Sequence, residues 1–373
     1  MRRGKVGLIV FGWLLRLIRS YRTSSRILEA TASDQPLQDA ATSEPATSGV
    51  EAGFADVFAG VDFDPEAAPK PGLAWLPGRP LFSAAERADV VACDPVEVTT
   101  LASTIISELL ASIDKVPPFP LIANRLIALS SQPDVRVDIV ERLVEQDAVI
   151  AAKVIGAANA LLFDQTSPVE SVNHAIRVVG LEEVTQIAIA AAAAAVFDTK
   201  ERVAFEAMTV QQQAAWAHSL ATAKGAAALA QWLGADVQGA YIAGLLHDIG
   251  KPVALRGIGF ALINGRLANV PSAALAIAAV EEAHVDVGAM LADAWSLGEE
   301  IGRVIEQHHE DDVESQLVRI VRMASAVDEL RTNPGQSDDL LAQALALAMT
   351  LGLTKEKLSE LSDEMGRTST LFA

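Results

Sequence analysis

The stretch VTTLASTIISELLASI, residues 98–113, sets Leu101, Ile105, Ile106, Leu109, Leu110 and Ile113 at spacings of three and four. That period belongs to a helix with one buried face, and Pro117-Pro118 stops it. The same pattern recurs outward along the chain. Leu121 to Leu129, Val137 to Glu145, Ala148 to Ala160, Val169 to Val179 and Leu181 to Val196 each read as a helix, the last two parted at Gly180. No strand pattern of comparable strength interrupts them, so an all-α bundle of antiparallel helices is expected. Aromatic residues make up only 5% of the chain and Ala190 to Ala195 run unbroken, which favours helices in close contact through small side chains.

Toward the N-terminus the helical pattern is lost. Residues 29–97 are rich in Ser, Thr, Ala, Pro and acidic side chains and read as a flexible linker, in which short apolar pieces such as Phe54 to Phe58 can dock on the body. Residues 1–28 form a separate basic head. Its first 26 residues hold Arg2, Arg3, Lys5, Arg16, Arg19, Arg22 and Arg26 with no acidic residue, although the whole chain is at −19. The remaining 22 basic and 48 acidic residues leave the body at −26, a charge that repels phosphate backbones and argues against general nucleic-acid binding.

The uncharged run of the head, Val6 to Leu15, is half the ~20 residues a bilayer span needs. Wound as a helix, it sets Lys5, Arg16, Arg19 and Arg22 near one side and Leu8, Phe11, Leu14, Leu15 and Ile18 largely on the other. This suits an interfacial helix on anionic lipid, and so a peripheral membrane contact through residues 1–26. A signal peptide is the rival reading, weakened by the Arg-rich run that follows the apolar stretch, and an ordinary packed helix is a third. The single Cys93 can form no internal disulfide, which suits a reducing cytoplasm, and any metal must be held by nitrogen and oxygen.

One feature points to chemistry. Five of the six histidines, His218, His247, His284, His308 and His309, fall in the C-terminal half, with Asp248 directly after the second and Asp328 about one helix beyond the last. Imidazole is the commonest metal-ligand side chain, and scarce histidines gathered beside carboxylates are what a metal site looks like. The intervals of 29, 37, 24 and 19 residues each allow one helix plus a connection, so every ligand can come from a different helix around one axis. The competing reading is a polar network whose members hydrogen-bond one another without metal.

The strings VPPFPLIANRLIALSSQPD (116–134), LVEQDAVIAAKVIGAANALLF (143–163) and SPVESVNHAIRVVGLEEV (167–184) resemble the N-terminal half of the HDOD domain, a helical output module related to metal-dependent HD phosphohydrolases. WAHSLATAKGAAALA (216–230), YIAGLLHDIGK (241–251), EEAHVDVGAMLADAW (281–295), IEQHHE (305–310) and VDEL (327–330) resemble its second half. The resemblance implies an HD-like multi-helix bundle with an additional N-terminal helical half over residues 98–330, followed by C-terminal helices in 331–373. Of these, Asp338 to Leu351 and Thr354 to Met365 are expected to bury against the bundle or against a second copy in a homo-oligomer.

The resemblance also implies a dinuclear divalent centre of Mn or Fe, held by His218, His247, Asp248, His284, His308, His309 and Asp328. Adjacent helical residues diverge by about 100°, so His247 and Asp248 can both serve that centre only if the short Asp248 carboxylate reaches across as a bridge. His309 can instead point to solvent or pair with a carboxylate. Lys251 is implied to meet a substrate phosphate, with capping of the preceding helix as its plain alternative. His174 reads as an ordinary helical histidine outside the site.

Two departures from HD-GYP phosphodiesterases count against cyclic di-GMP as substrate. The chain reads HHEDDVESQL where they carry Gly-Tyr-Pro, and Ala214 stands where they use a glutamate for an extra metal. Glu310, Asp311 and Asp312 add negative charge beside the pocket. The family implies a regulatory signal-transduction module acting on a protein partner or small phosphorylated ligand, located in the cytoplasm or at the inner face of the membrane. A metal-dependent phosphohydrolase of a nucleotide or other phosphate ester is the alternative.

Overall fold

The computed structural model describes residues 89–112, 116, 118–130, 135–161, 168–197, 209–310, 313–332 and 338–368. The basic head, the linker up to residue 88, Ile113, Asp311 and Asp312 lie outside the described residues. Among those described there is helix and no strand.

Helix α1 spans Pro95–Ala111 and starts three residues before the apolar period. Its start is set by capping: the Asp94 carboxylate accepts the Val96 N–H at 2.8 Å, and Pro95 occupies the first turn, where no N–H is needed. Five helices of the N-terminal half follow: α2 Leu121–Ser130, α3 Val137–Glu145, α4 Ala148–Leu161, α5 Val172–Val179 and α6 Leu181–Phe197. Helix α5 begins at Val172 rather than at Val169. Ser171 caps it through the His174 N–H, while Val169 is held outside by Asn159, which bonds both its N–H (2.7 Å) and its carbonyl (2.9 Å).

The second half holds α7 Thr209–Leu233, α8 Val237–Leu246, α9 Gly250–Ile263, α10 Ala273–Ala294, α11 Glu299–Gln307 and α12 Gln316–Thr332. Although it precedes α2 to α6 in sequence, α1 packs on α9 and α10. Gly257 permits the approach, since a Cβ there would meet Ile105 Cγ2 at 2.8 Å. The halves join where α6 meets α7 and α8: Lys224 reaches Glu183 (2.6 Å) and Gln186 (2.9 Å), and the buried Tyr241 donates to the Gln186 carbonyl.

Two last helices, α13 Asp338–Thr350 and α14 Lys355–Thr368, pack on α12 and α7. Ala344, Ala348, Leu358, Leu361 and Met365 share one core with Leu229, Val321, Val327 and Leu330, so these helices bury against the bundle itself. No helix among the described residues is long and apolar enough to cross a membrane.

Candidate metal centre

Five elements converge on the histidine cluster. His218 comes from the middle of α7, His247 and Asp248 from the turn between α8 and α9, and His284 from α10. His308 and His309 come from the close of α11, and Asp328 from α12. His218, His247, Asp248, Lys251, His284, His308 and Asp328 are all buried. Tyr241, Leu245 and Leu246 on α8 and Ile249 just after it are each essentially inaccessible, and in such an interior the low dielectric strengthens every charge interaction.

Asp248 is the hub. Its Oδ1 lies 3.3 Å from His308 Nε2 and 3.5 Å from His284 Nε2. Its Oδ2 lies 3.4 Å from His247 Nε2, 3.8 Å from His218 Nε2 and 2.8 Å from Lys251 Nζ. Two donor groups result, Asp248 with His284, His308 and His309, and Asp248 with His218 and His247, each with its ligand atoms within 4.8 Å of one another. Donors bound at about 2.1 Å to one cation stand about 3.0–3.4 Å apart at tetrahedral or octahedral angles, so both groups have the size of a coordination shell.

The rings are aimed by backbone. His247 Nδ1 donates to the Gly244 carbonyl at 2.7 Å, His284 Nδ1 to Glu281 at 2.7 Å, and His308 Nδ1 to Ile305 at 3.0 Å and Val304 at 3.1 Å. A carbonyl only accepts, so each Nδ1 carries the proton and each Nε2 presents a lone pair to the hub. The Nε2 atoms of His247 and His308 and the Oδ1 of Asp248 are buried without a hydrogen-bond partner. Each such orphan costs about 1–3 kcal/mol. His284 Nε2 and His309 Nε2 approach to 2.9 Å, where two lone pairs repel unless a proton or a cation relieves them. Burial holds His247 and His309 well below the usual imidazole range and His284 down to about 3, which keeps them neutral, the form that binds metal. Burial alone would raise Asp248, but the positive charge beside it, Lys251 first, outweighs burial and holds the carboxylate ionised. Imidazoles converging on a carboxylate, with the Nε2 atoms of His247 and His308 and one carboxylate oxygen unpartnered, are a donor set that fits divalent cations.

Asp328 stands differently from expectation, while His309 and Lys251 each depart from only one of their two readings. Asp328, expected as a direct ligand, lies outside both donor groups: its Oδ2 accepts from His218 Nδ1 at 2.8 Å and its Oδ1 from Arg331 at 2.6 Å. It therefore orients the His218 ring from behind, as carboxylates do behind metal-bound histidines, and outweighs the burial that would lower His218. His309 does not face solvent. Helix α11 ends at Gln307, so the two histidines lie in a turn and are not held to a helix's 100° divergence. Lys251 does not cap α8: its ammonium lies 2.8 Å from Asp248 Oδ2 and 3.3 Å from Glu281 Oε2, and these two anions keep it charged against burial. His174 lies half-buried on α5, apart from the cluster, and Ala214 brings no donor to the turn before His218. Glu310 is exposed, and its carbonyl accepts from Arg322.

The sequence reading missed two carboxyls. Glu281 and Glu329 are pushed up to about 7 by burial, against the pull of Lys251 and His218. Glu281 stands one helical turn before His284, a spacing that was available as a signal, and Glu329 directly follows Asp328. A cleft of about 430 Å³ lined by Arg125, Leu129, Ile139, Arg142 and Leu143 lies between α2 and α3 and shares no residue with the cluster.

An all-α bundle that brings histidines from α7, the α8–α9 turn, α10 and the close of α11 onto one aspartate is an HD-like fold. The HDOD domain model matches residues 116–311, and the chain belongs to that family. The solved HDOD domain protein of unknown function from Geobacter sulfurreducens is 26% identical, with a TM-score of 0.53 over 75% of this chain and 99% of its own. A Shewanella amazonensis protein provisionally named a metal-dependent phosphohydrolase shares the fold at 20% identity and a TM-score of 0.54, over 72% of this chain and 99% of its own. Ribonuclease Y of Mycoplasma mycoides is 34% identical over 116 residues, 31% of this chain and 18% of that protein. The chain spans less than half the length of the first curated relatives it matches.

Proposed function

We propose that this HDOD module holds two divalent cations, Mn or Fe, bridged by Asp248, and through them a small phosphate-bearing ligand that serves signal transduction. The observation that carries the reading is the set of buried, unpartnered acceptors, His247 Nε2, His308 Nε2 and Asp248 Oδ1, aimed at one another by backbone-fixed tautomers. Cations so held would draw charge from phosphate oxygens and polarise bound water. The chain's own contribution is to exclude bulk water, to fix the His218 ring through Asp328, and to supply the Lys251 charge beside the site. A small ligand suits the site better than a polyanion, because the chain carries 48 acidic against 29 basic residues.

The test is to purify the protein without chelator, measure Mn and Fe by mass spectrometry, and titrate phosphate esters against wild type and Asp248→Ala. Two metals per chain, lost in Asp248→Ala, with saturable binding and no turnover is the expected result. Metal-free wild type that rebinds neither ion sinks the reading.

A second reading, metal-dependent hydrolysis of a phosphate ester, is favoured by the placement of Glu281, a part-buried carboxyl 3.3 Å from Lys251 that belongs to neither donor group and can carry a proton. The likeness to ribonuclease Y, whose name denotes action on a phosphodiester polymer, supports the same class. Turnover that vanishes in Asp248→Ala would select this reading.

A further inference from the structure

The two donor groups are not equivalent. Asp248 Oδ1, which faces His284 and His308, has no hydrogen-bond partner and can take a cation as it stands. Asp248 Oδ2, which faces His218 and His247, is already occupied by the Lys251 ammonium at 2.8 Å. An oxygen can serve the ammonium and a dication together only with both positive charges a few Å apart, in a buried site where water screens their repulsion poorly.

Glu281 supplies the complement. Its Oε2 lies 3.3 Å from Lys251 Nζ, in ion-pair range, yet makes no hydrogen bond of good geometry and is buried. A carboxylate whose buried Oε2 has unused accepting capacity beside an ammonium is a second berth for that ammonium, and it is reached by side-chain torsions alone because Glu281 and Asp248 flank the same Nζ.

We infer that Lys251 is a resident cation that yields Asp248 Oδ2 to the second divalent ion, and that Glu281 receives it. The inference rests on the two-cation reading above and adds an order to it. The group of Asp248, His284, His308 and His309 fills first. The group of His218, His247 and Asp248 fills second and more weakly, because it must displace Lys251. Lys251 and Glu281 are thereby positioning residues that set the affinity of one site without coordinating the metal.

The experiment is calorimetric titration of Mn²⁺ into full-length, metal-stripped protein: wild type, Lys251→Met, Glu281→Gln and the double variant, each first shown to be folded by its melting transition. Lys251→Met should tighten the second Mn²⁺ about tenfold or more and leave the first within about threefold, while Glu281→Gln should weaken the second about tenfold, the range typical of groups just outside a coordination shell. Because Glu281 acts through Lys251, the double variant should match Lys251→Met within about threefold.

A simple field effect makes a different forecast: Glu281→Gln would weaken Mn²⁺ equally whether or not Lys251 is present, and that additive result overturns the inference. An unchanged second Kd in Lys251→Met overturns it as well. If Lys251→Met does not fold, Lys251→Gln takes its place with the same expectations. Wild type and Lys251→Met that both bind fewer than two ions would remove the two-cation reading itself; one ion in wild type and two in Lys251→Met supports the displacement.

Discussion

Replacing Gly250 by alanine should break the centre without touching a ligand. Gly250 begins α9, two residues after Asp248, and a Cβ built there would lie 1.9 Å from the carbonyl oxygen of His284 and 2.8 Å from the Gly288 N. Both obstacles are backbone of α10, which cannot rotate aside. Ordinary contact begins near 3.4 Å, so α9 and α10 must separate by about 1.5 Å at this point. Overpacking of a tight core costs about 1–3 kcal/mol, and a clash with rigid helix backbone belongs at the upper end. About 3 kcal/mol lowers the melting temperature of a domain this size by about 6–12 °C.

The same displacement pulls Asp248 and Lys251 on one side from His284 on the other, so Mn²⁺ affinity should fall at least tenfold. Gly156→Ala is the control: it lies inside α4 with nothing within 4 Å of the added methyl, and should stabilise by about 0.5–1 kcal/mol. Differential scanning calorimetry and Mn²⁺ titration check both. A Gly250→Ala protein with wild-type melting temperature and wild-type Mn²⁺ affinity would refute the close-approach argument.

Three further outcomes are expected. Asp328→Ala should free the His218 ring and leave Arg331 unpaired, costing about 3–5 kcal/mol in stability and weakening the second Mn²⁺ more than the first; equal weakening of both would contradict the orienting role. Metal-stripped protein should lose stability as pH falls below 6.5 and go on losing it toward about 3, because His284 binds its proton in the unfolded chain well before it does in the fold, and His247 and His309 behave alike. Denaturant melts between pH 7 and 4 would show it, and a flat profile would count against buried neutral imidazoles. A peptide of residues 1–26 should partition to anionic vesicles and leave them as salt rises, since seven basic and no acidic side chains drive the attraction; salt-independent binding, or none, would discard the membrane contact.

The helices were largely readable because a buried face repeats every three to four residues whatever it packs on. Boundaries slipped where a cap decides them, at Asp94 and Ser171, since periodicity sees apolar residues and not the side chain that closes the first turn. Which helix meets which was beyond reach: α1 precedes the N-terminal half in sequence and packs with the C-terminal half, an outcome set by the fit of Ile105 and Leu109 against Gly257.

The sequence by itself determined which donor groups are available, since a scarce residue type gathers beside carboxylates at one-helix intervals, and it set Asp248 beside His247 as the candidate bridge. Only the tertiary structure divided the donors into two unequal groups, moved Asp328 behind His218, turned His309 inward and set Lys251 between Asp248 and Glu281. The reason is physical. Residue type and spacing state which atoms can reach a common point, whereas the backbone carbonyl each ring bonds, and the side chain already seated on each carboxylate oxygen, depend on how α7 to α12 pack.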